Sequence, residues 1–334
     1  GHPNNLSVLT NVINIEKDLE DITIKGFTFT DDFQVISTGT LKGFTFTNNI
    51  VKDTNLEGQY LPTSRVNVPA IIQLYSLAGT NIFENIKSDI ISIDRTMIDE
   101  EINILNNEFI NFTIGAIRFD GGYNNGTYNI KNNSFENTDV VSEAAIYFRA
   151  YAPNSGVQII NIEENTFVNM GNKNNNPVTN HPASAVIATS IFNENEVEMN
   201  ILNNEFINPH NTLHMRSGGL FGKDKWNITI KENIIVNPTG YILYETESRT
   251  TFETNQVVDD NGLELELEAI ESSSMRQINV KKDAKTYFVH YYTYNDETET
   301  YDFVEESYEG FAGDKVVINP EEKLGYKTEL DVYE

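Results

Sequence analysis

Three of the seven arginines in this chain of 334 residues fall in short segments that look alike: Gly115-Ala-Ile-Arg-Phe-Asp120, Ala144-Ala-Ile-Tyr-Phe-Arg149 and Thr212-Leu-His-Met-Arg216. If each segment is a strand with Ile117/Phe119, Ile146/Phe148 and Leu213/Met215 turned inward, alternation turns Arg118, Asp120, Tyr147, Arg149, His214 and Arg216 outward. Guanidinium groups offer a planar fork to carboxylate or sulfate, and a Tyr ring offers a flat face to a sugar. That chemistry is the binding of an acidic ligand, either a sialylated or sulfated glycan or an acidic protein segment. The chain holds 23 Lys+Arg against 50 Asp+Glu, a net charge of −27, so a basic and aromatic stripe stands out against its background. The plainer reading is that these arginines offset neighbouring carboxylates on a solvated sheet face. Segment 172–182 is long enough to act as a lid or specificity loop over the stripe.

Bond-making chemistry finds less support. Asp31-Asp32 and Asp259-Asp260 are acidic pairs in turn-like segments without a matching carboxylate nearby. Asp120 alone is too little for a hard cation, which wants six or more oxygens. None of His2, His181, His210, His214 and His290 sits in a nucleophile motif. His210 and His214 are four apart, but in a loop-into-strand segment that spacing makes no metal site. The absence of cysteine excludes thiolate metal sites, disulfides and cysteine nucleophiles. The negative charge disfavours nucleic acid and anionic lipid as partners, and no apolar run approaches the roughly 18 residues of a membrane span. The expectation is therefore no catalytic residue, no metal, no cofactor, no nucleic acid and no membrane insertion.

The elements that would position the stripe are repeats. Asn-Ile-Leu-Asn-Asn-Glu-Phe-Ile-Asn occurs at 103–111 and identically at 200–208, with related phrases at 129–137, 161–169 and 228–237 and a weaker one at 252–259. Ile22-Thr-Ile-Lys-Gly-Phe-Thr-Phe-Thr and Thr40-Leu-Lys-Gly-Phe-Thr-Phe-Thr-Asn-Asn read as earlier, Gly-containing copies. The consensus is Ile-x-x-Asn-x-Phe-x-Asn. Its central asparagines, 107, 133, 165, 204, 233 and 255, are 26, 32, 39, 29 and 22 residues apart. A short fixed phrase with variable filler predicts a solenoid of short strands joined by loops.

Ile104 and Phe109 can both point inward only if the chain bends at the Asn pair. Asn tolerates the left-handed backbone angles such a bend needs. An inward Asn repeated at every bend can bond to its copies above and below, forming a ladder. Ile104, Phe109, Ile130, Phe135, Ile162, Phe167, Ile201 and Phe206 are thus predicted to be buried. Further strands, at 240–245 and 262–268, are predicted to turn Ile242/Tyr244 and Leu263/Leu265 inward. Over roughly residues 10–270 this pattern resembles the right-handed parallel β-helix of the pectin-lyase-like superfamily. Hydrolases of that superfamily carry Asn-Thr-Asp, Asp-Asp and Gly-His-Gly signatures on successive coils, and its lyases a Ca²⁺ site with an Arg or Lys base. That constellation is absent here.

Composition changes near residue 275. Of 44 asparagines, 41 precede residue 276, whereas 8 of 16 tyrosines lie from 276 onward. The expected organisation is a β-helix over 1–275 and a small β domain over 276–334. In the latter, Tyr287-Phe-Val-His-Tyr-Tyr-Thr-Tyr-Asn-Asp296 reads as a strand with Thr300-Tyr-Asp-Phe-Val304 as its hairpin partner. With the glycine-containing segments that follow, it resembles the small β-grasp-like, mucin-binding-protein-type modules of Gram-positive surface proteins. Gly310, Gly313, Asp314, Val316, Gly325 and Tyr326 match, while Asn295-Asp-Glu-Thr replaces the usual turn. Gly1-His2-Pro3 carries neither an initiator Met nor a signal-peptide pattern, so the chain is expected to be a piece of a longer one.

Together the resemblances imply a non-catalytic adhesin region on a Gram-positive cell surface, extracellular, and a monomer within a longer cell-wall-anchored chain. Its β-helix would present a face to glycans or another host surface ligand. The alternatives are a polysaccharide lyase or glycoside hydrolase of the pectin-lyase-like superfamily that has drifted from the usual motifs, and a structural stalk.

Overall fold

In the computed structural model the described residues are 8–9, 13–31, 35–54, 72–78, 80–84, 87–88, 91–96, 100–110, 116–120, 126–137, 144–150, 157–171, 185–191, 196–217, 226–246, 250–282, 284–295, 297–298 and 300–311. All regular structure among them is β-strand. The chain divides into two compact units, Gly1–Val280 and Lys281–Glu334.

The first unit is built from the phrase identified in the sequence. One coil shows the logic. Strand Glu100–Leu105 is followed by Asn106 and Asn107, then strand Glu108–Ile110, then strand Ile117–Asp120. Asn106 takes φ 57°, and its counterparts Asn132, Glu164, Asn203, Glu232 and Thr254 take 54–58°. The left-handed residue turns the chain through a corner, which lets Ile104 and Phe109 both face inward across an odd spacing. All eight predicted Ile and Phe residues are at most 1% exposed.

Each corner delivers the next asparagine to the interior. Asn107 donates through its backbone N–H and its side-chain amide to Asn133 Oδ1, and the same pair of bonds links Asn133 to Asn165, Asn165 to Asn204, Asn204 to Asn233 and Asn233 to Asn255. All ten bonds measure 2.8–3.1 Å. From Asn133 onward the remaining amide hydrogen reaches a carbonyl of the coil before, as from Asn165 to Ile130 at 2.8 Å. Buried amides are thus satisfied along the whole corner. The other two asparagines of the phrase form ladders as well. Asn129, Asn161 and Asn200 each donate to the preceding copy on the outside of their sheet, starting at Asn103. Asn208 and Asn237 donate to Asn169 and Asn208 at the far end of the short strand.

Among the described residues the coils stack into three sheets. The first, nine-stranded, holds strands of the Glu100–Leu105 type, the second, ten-stranded, those of the Glu108–Ile110 type, and the third, twelve-stranded, those of the Ile117–Asp120 type. Every pairing between successive coils among the described residues is parallel, so the unit is a parallel β-helix. Phe109, Phe135, Phe167 and Phe206 stack along the interior at 4.8, 4.8 and 4.9 Å with rings within 8° of parallel, which measures the rise per coil.

The two Lys-Gly-Phe-Thr-Phe-Thr phrases are not equivalent copies. Gly26 turns from the first sheet to the second, whereas Gly43 turns from the third to the first. The residues aligned with Lys25 and Thr28 are Thr47 and Ile50, which puts Asn48 opposite Gly26. The reason is local. Glycine at φ 75° or 66° serves any left-handed corner, so the phrase marks a corner without saying which.

The end of the third sheet departs from the repeat. Strand Leu243–Thr246 pairs antiparallel with Met275–Val280, which pairs antiparallel with Leu267–Glu271. Residues 276–280 therefore belong to the third sheet. The expected coil strand at 262–268 is not present, since only Glu264 bridges, to Val258; of its two expected inward residues Leu265 packs partly buried against the core, while Leu263 is exposed. In the second unit, strands Ala284–Asn295 and Thr300–Phe311 pair over their full length as an antiparallel hairpin. Gly310 and Phe311 continue its second strand. Gly313, Asp314, Val316, Gly325 and Tyr326, which carry the resemblance to a mucin-binding-type module, lie outside the described residues.

Candidate ligand-binding face

The candidates sit on three strands of the third sheet, Ile117–Asp120, Ile146–Ala150 and Leu213–Ser217, with Ile187–Ile191 between the last two. Backbone register sets Arg118 beside Tyr147, then Ala188, His214 and Tyr244. Two residues further along, Asp120 lies beside Arg149, then Ser190, Arg216 and Thr246. Residues i and i+2 share a face, so all six positions fall in two adjacent columns on one side of the sheet. The 39-residue interval between Asn165 and Asn204 causes no slip, since the strands it contains keep the register of their neighbours. Arg149 and Arg216 are two coils apart, roughly 10 Å at the backbone.

The intervening positions face the core. Ile117, Ile146, Ile187, Leu213 and Leu243 form one buried column, and Phe119, Phe148, Thr189, Met215 and Glu245 the other. In the last coil the expected inward pair Ile242/Tyr244 holds for Ile242, which is buried in the main core, and not for Tyr244. Leu243 and Glu245 are the inward pair, and Tyr244 joins the outward column beside His214. An apolar residue before the strand, Ile242, had shifted the apparent parity by one. The buried Glu245 is held by Arg276, whose Nε lies 2.7 Å from its Oε1 while Nη2 donates to the Thr250 carbonyl at 2.7 Å.

Outward does not mean open. Tyr147 is 7% exposed and His214 1%. Tyr147 packs with Ala144 and Ala188 in a small cluster separate from the main core. His214 Nδ1 is 3.1 Å from the Tyr241 hydroxyl, and its ring centroid is 4.9 Å from that of Tyr244. These rings are therefore corrected from sugar-stacking surfaces to a buried aromatic bed beside the second column. Arg216 is half-buried, its backbone N–H donating to Thr189 Oγ1 at 3.0 Å. Arg118, Asp120 and Arg149 are placed by their backbone, and segment 172–182 lies outside the described residues. Tyr241 and Tyr244 were missed in the sequence, although aligning that coil on Leu243 brings both to the stripe.

The acidic pairs have other surroundings. Asp259 Oδ1 accepts from the backbone N–H of Asn261 at 2.8 Å and of Leu263 at 2.9 Å, and so shapes a turn. The Leu263 bond is the main reason its carboxyl sits below the ordinary value. Asp31 ends a strand of the second sheet, and Asp32 lies outside the described residues. His210 Nδ1 meets Thr239 Oγ1 at 3.0 Å, and His290 meets Glu305 at 2.7 Å on the hairpin. Among the described residues no group of three His, Asp or Glu could hold a metal ion, and no helix is long and apolar enough to cross a membrane.

No protein-family model matches the sequence, and no curated protein matches it either. Among solved structures, the crystal structure of PfbA, a surface adhesin of Streptococcus pneumoniae, aligns at 13% identity over 83% of this chain and 82% of that one, with a TM-score of 0.23. A TM-score of 0.23 is too low to transfer either fold or role between the two.

Proposed function

We propose that this chain is the ligand-presenting region of a non-catalytic, extracellular bacterial adhesin of the Gram-positive type. Its third sheet holds an acidic, sialylated or sulfated glycan across Arg149 and Arg216. Arg118 and Asp120, at neighbouring backbone positions, complete the ligand-binding set with Tyr147 and His214, whose rings are buried in the same face. What supports the reading is the register itself: three of seven arginines fall in two adjacent columns of one face in a protein at −27. A local cationic row is where such a protein could hold an anion, and at physiological salt a Debye length of about 8 Å screens the distant negative charge.

A glycan array on the purified chain tests this reading. Binding to sulfated or sialylated glycans should weaken as salt rises, and Arg149→Ala with Arg216→Ala should abolish it with little change in melting temperature. If the double variant binds every ligand of the parent equally well, the arginines only balance neighbouring carboxylates. Binding confined to acidic polypeptides would replace the glycan by a protein partner. Release of unsaturated or reducing ends from polygalacturonate, alginate, hyaluronan or chondroitin, above a boiled control, would make the protein an enzyme. No binding at all would leave the stalk.

A further inference from the structure

A second surface, at the end of the sheet that carries the arginine columns, is unfinished in a different way. After the second sheet's last strand, Gln256–Val258, the chain turns at Asp259 and folds back, with Leu265 N–H bonded to the Val257 carbonyl at 2.8 Å. It then forms strand Leu267–Glu271, which pairs on one side only, with Met275–Val280. Among the described residues Leu267–Glu271 is thus the edge of the third sheet, and all five of its residues are exposed. Leu263, Leu267 and Ile270 are 65%, 37% and 50% exposed.

Unpaired edges are hazards that proteins blunt with charge, bulges or covering segments. Here the edge carries charge and also keeps exposed apolar side chains, which is the composition of a surface completed by a partner. Register sorts the two faces. Ala269 lies opposite Ile278, which is buried in the main core, so Leu267, Ala269 and Glu271 are on the core side. Glu268 and Ile270 lie opposite Asn279 and Gln277 on the outer side. The segment Gly262-Leu-Glu-Leu-Glu-Leu-Glu-Ala-Ile-Glu271 contributes four glutamates.

We infer that Leu267–Glu271 is a strand-addition site for an extended, basic peptide of a partner protein, alternating apolar and Lys or Arg residues. Its backbone continues the third sheet. Its apolar residues sit beside Leu267 and Ala269 and lengthen the solenoid core, and its basic residues lie on the outer side beside Glu268. A second copy of this chain is the poorer occupant: it would set the same four glutamates, and a further −27, against their own kind. Glu268 on the outer side, with Glu264 and Glu266 just before the strand, turns the edge from self-association to a cationic partner.

The test uses the full chain and two fluorescent, end-capped octapeptides, alternating Lys-Val and alternating Glu-Val. Anisotropy should rise with the Lys-Val peptide only. Its affinity should fall at least fivefold between 50 and 500 mM salt (about a 1 kcal/mol change). Hydrogen exchange should slow at residues 263–271 and nowhere on the Arg149 and Arg216 strands. Glu268→Lys combined with Ile270→Lys should lower affinity tenfold or more, while Arg149→Ala with Arg216→Ala leaves it unchanged, which separates this site from the glycan face. The inference is overturned if neither peptide binds, if the Glu-Val peptide binds as well as the Lys-Val one, or if the Glu268/Ile270 variant binds normally. Concentration-dependent dimerisation that the Ile270 change abolishes would assign the edge to a second copy instead.

Discussion

The corner between the first and second sheets and the outward face of the third sheet come from the same coils, yet one repeats and the other does not. At the corner the six coils from Asn107 to Asn255 each place an asparagine in the same interior position, and five successive pairs join through the same two bonds. On the third sheet the column that holds Arg118 runs on through Tyr147, Ala188, His214 and Tyr244, with no residue type in two successive positions. Along the stretch from Asn107 to Asn255 the corner is a left-handed residue followed by an amide that bonds in both directions, and each coil there supplies it again. An outward position answers only to its own surroundings and is free to be used for binding.

If the corner carries the stability, the largest losses should come from its interior. Phe167→Ala removes the middle of the ring stack and should cost about 3–5 kcal/mol, measured by chemical denaturation. Asn165→Ala comes next. It leaves the Asn133 N–H groups and the Ile130 carbonyl without their partner, at about 1–3 kcal/mol for a buried group left unsatisfied. Asn161→Ala, one bend earlier on the outside of the first sheet, deletes a half-buried ladder bond to Asn129 and another to Asn200. Water can replace both, so the loss should be about 0.5–1.5 kcal/mol. Equal losses at Asn161 and Asn165 would mean that the outer ladder is as structural as the inner one, and would break the contrast between regions.

Legibility followed the same contrast. The corner was readable because Ile, Asn and Phe hold fixed offsets that only a bend can reconcile with burial, and the ladder followed from the position of the amide. The third sheet was readable in register but not in exposure. Alternation gave the side of the sheet for Tyr147 and His214, while Tyr241, Tyr244, Ala144 and Ala188, which bury those rings, are residue types that no repeated phrase carries from coil to coil. The end of the solenoid was not readable at all. Leu263 and Leu265 alternate with glutamate as a coil strand would, yet an antiparallel return takes their place, because pairing direction depends on the turn at Asp259 and not on the strand's own pattern.

That turn supplies the smallest expected effect and the sharpest local one. Asp259 is half-buried, and its carboxylate accepts from the Leu263 and Asn261 backbone N–H groups. Its affinity for a proton is lowered chiefly by the Leu263 bond, with slight desolvation opposing and Asn261 adding to it. A carboxyl with a folded value below its unfolded one contributes stability that is fully present above the unfolded value. That stability is lost as pH falls through the folded value. The return segment should therefore loosen in acid, while the asparagine corner, which has no titrating group in its ladder, should not respond. Amide spectra recorded between pH 6 and pH 2.5 should show the Leu263 N–H moving with an inflection below the usual aspartate range. The Asn165 and Asn204 side-chain amides should stay constant over the same interval. Asp259→Asn should remove the inflection and change the melting temperature at neutral pH by a few degrees at most, since the group is solvated and its charge is screened. An inflection at or above the ordinary carboxylate value would mean that the turn does not depend on the ionised side chain. In that case the antiparallel return would be held by Arg276 and Glu245 at its other end.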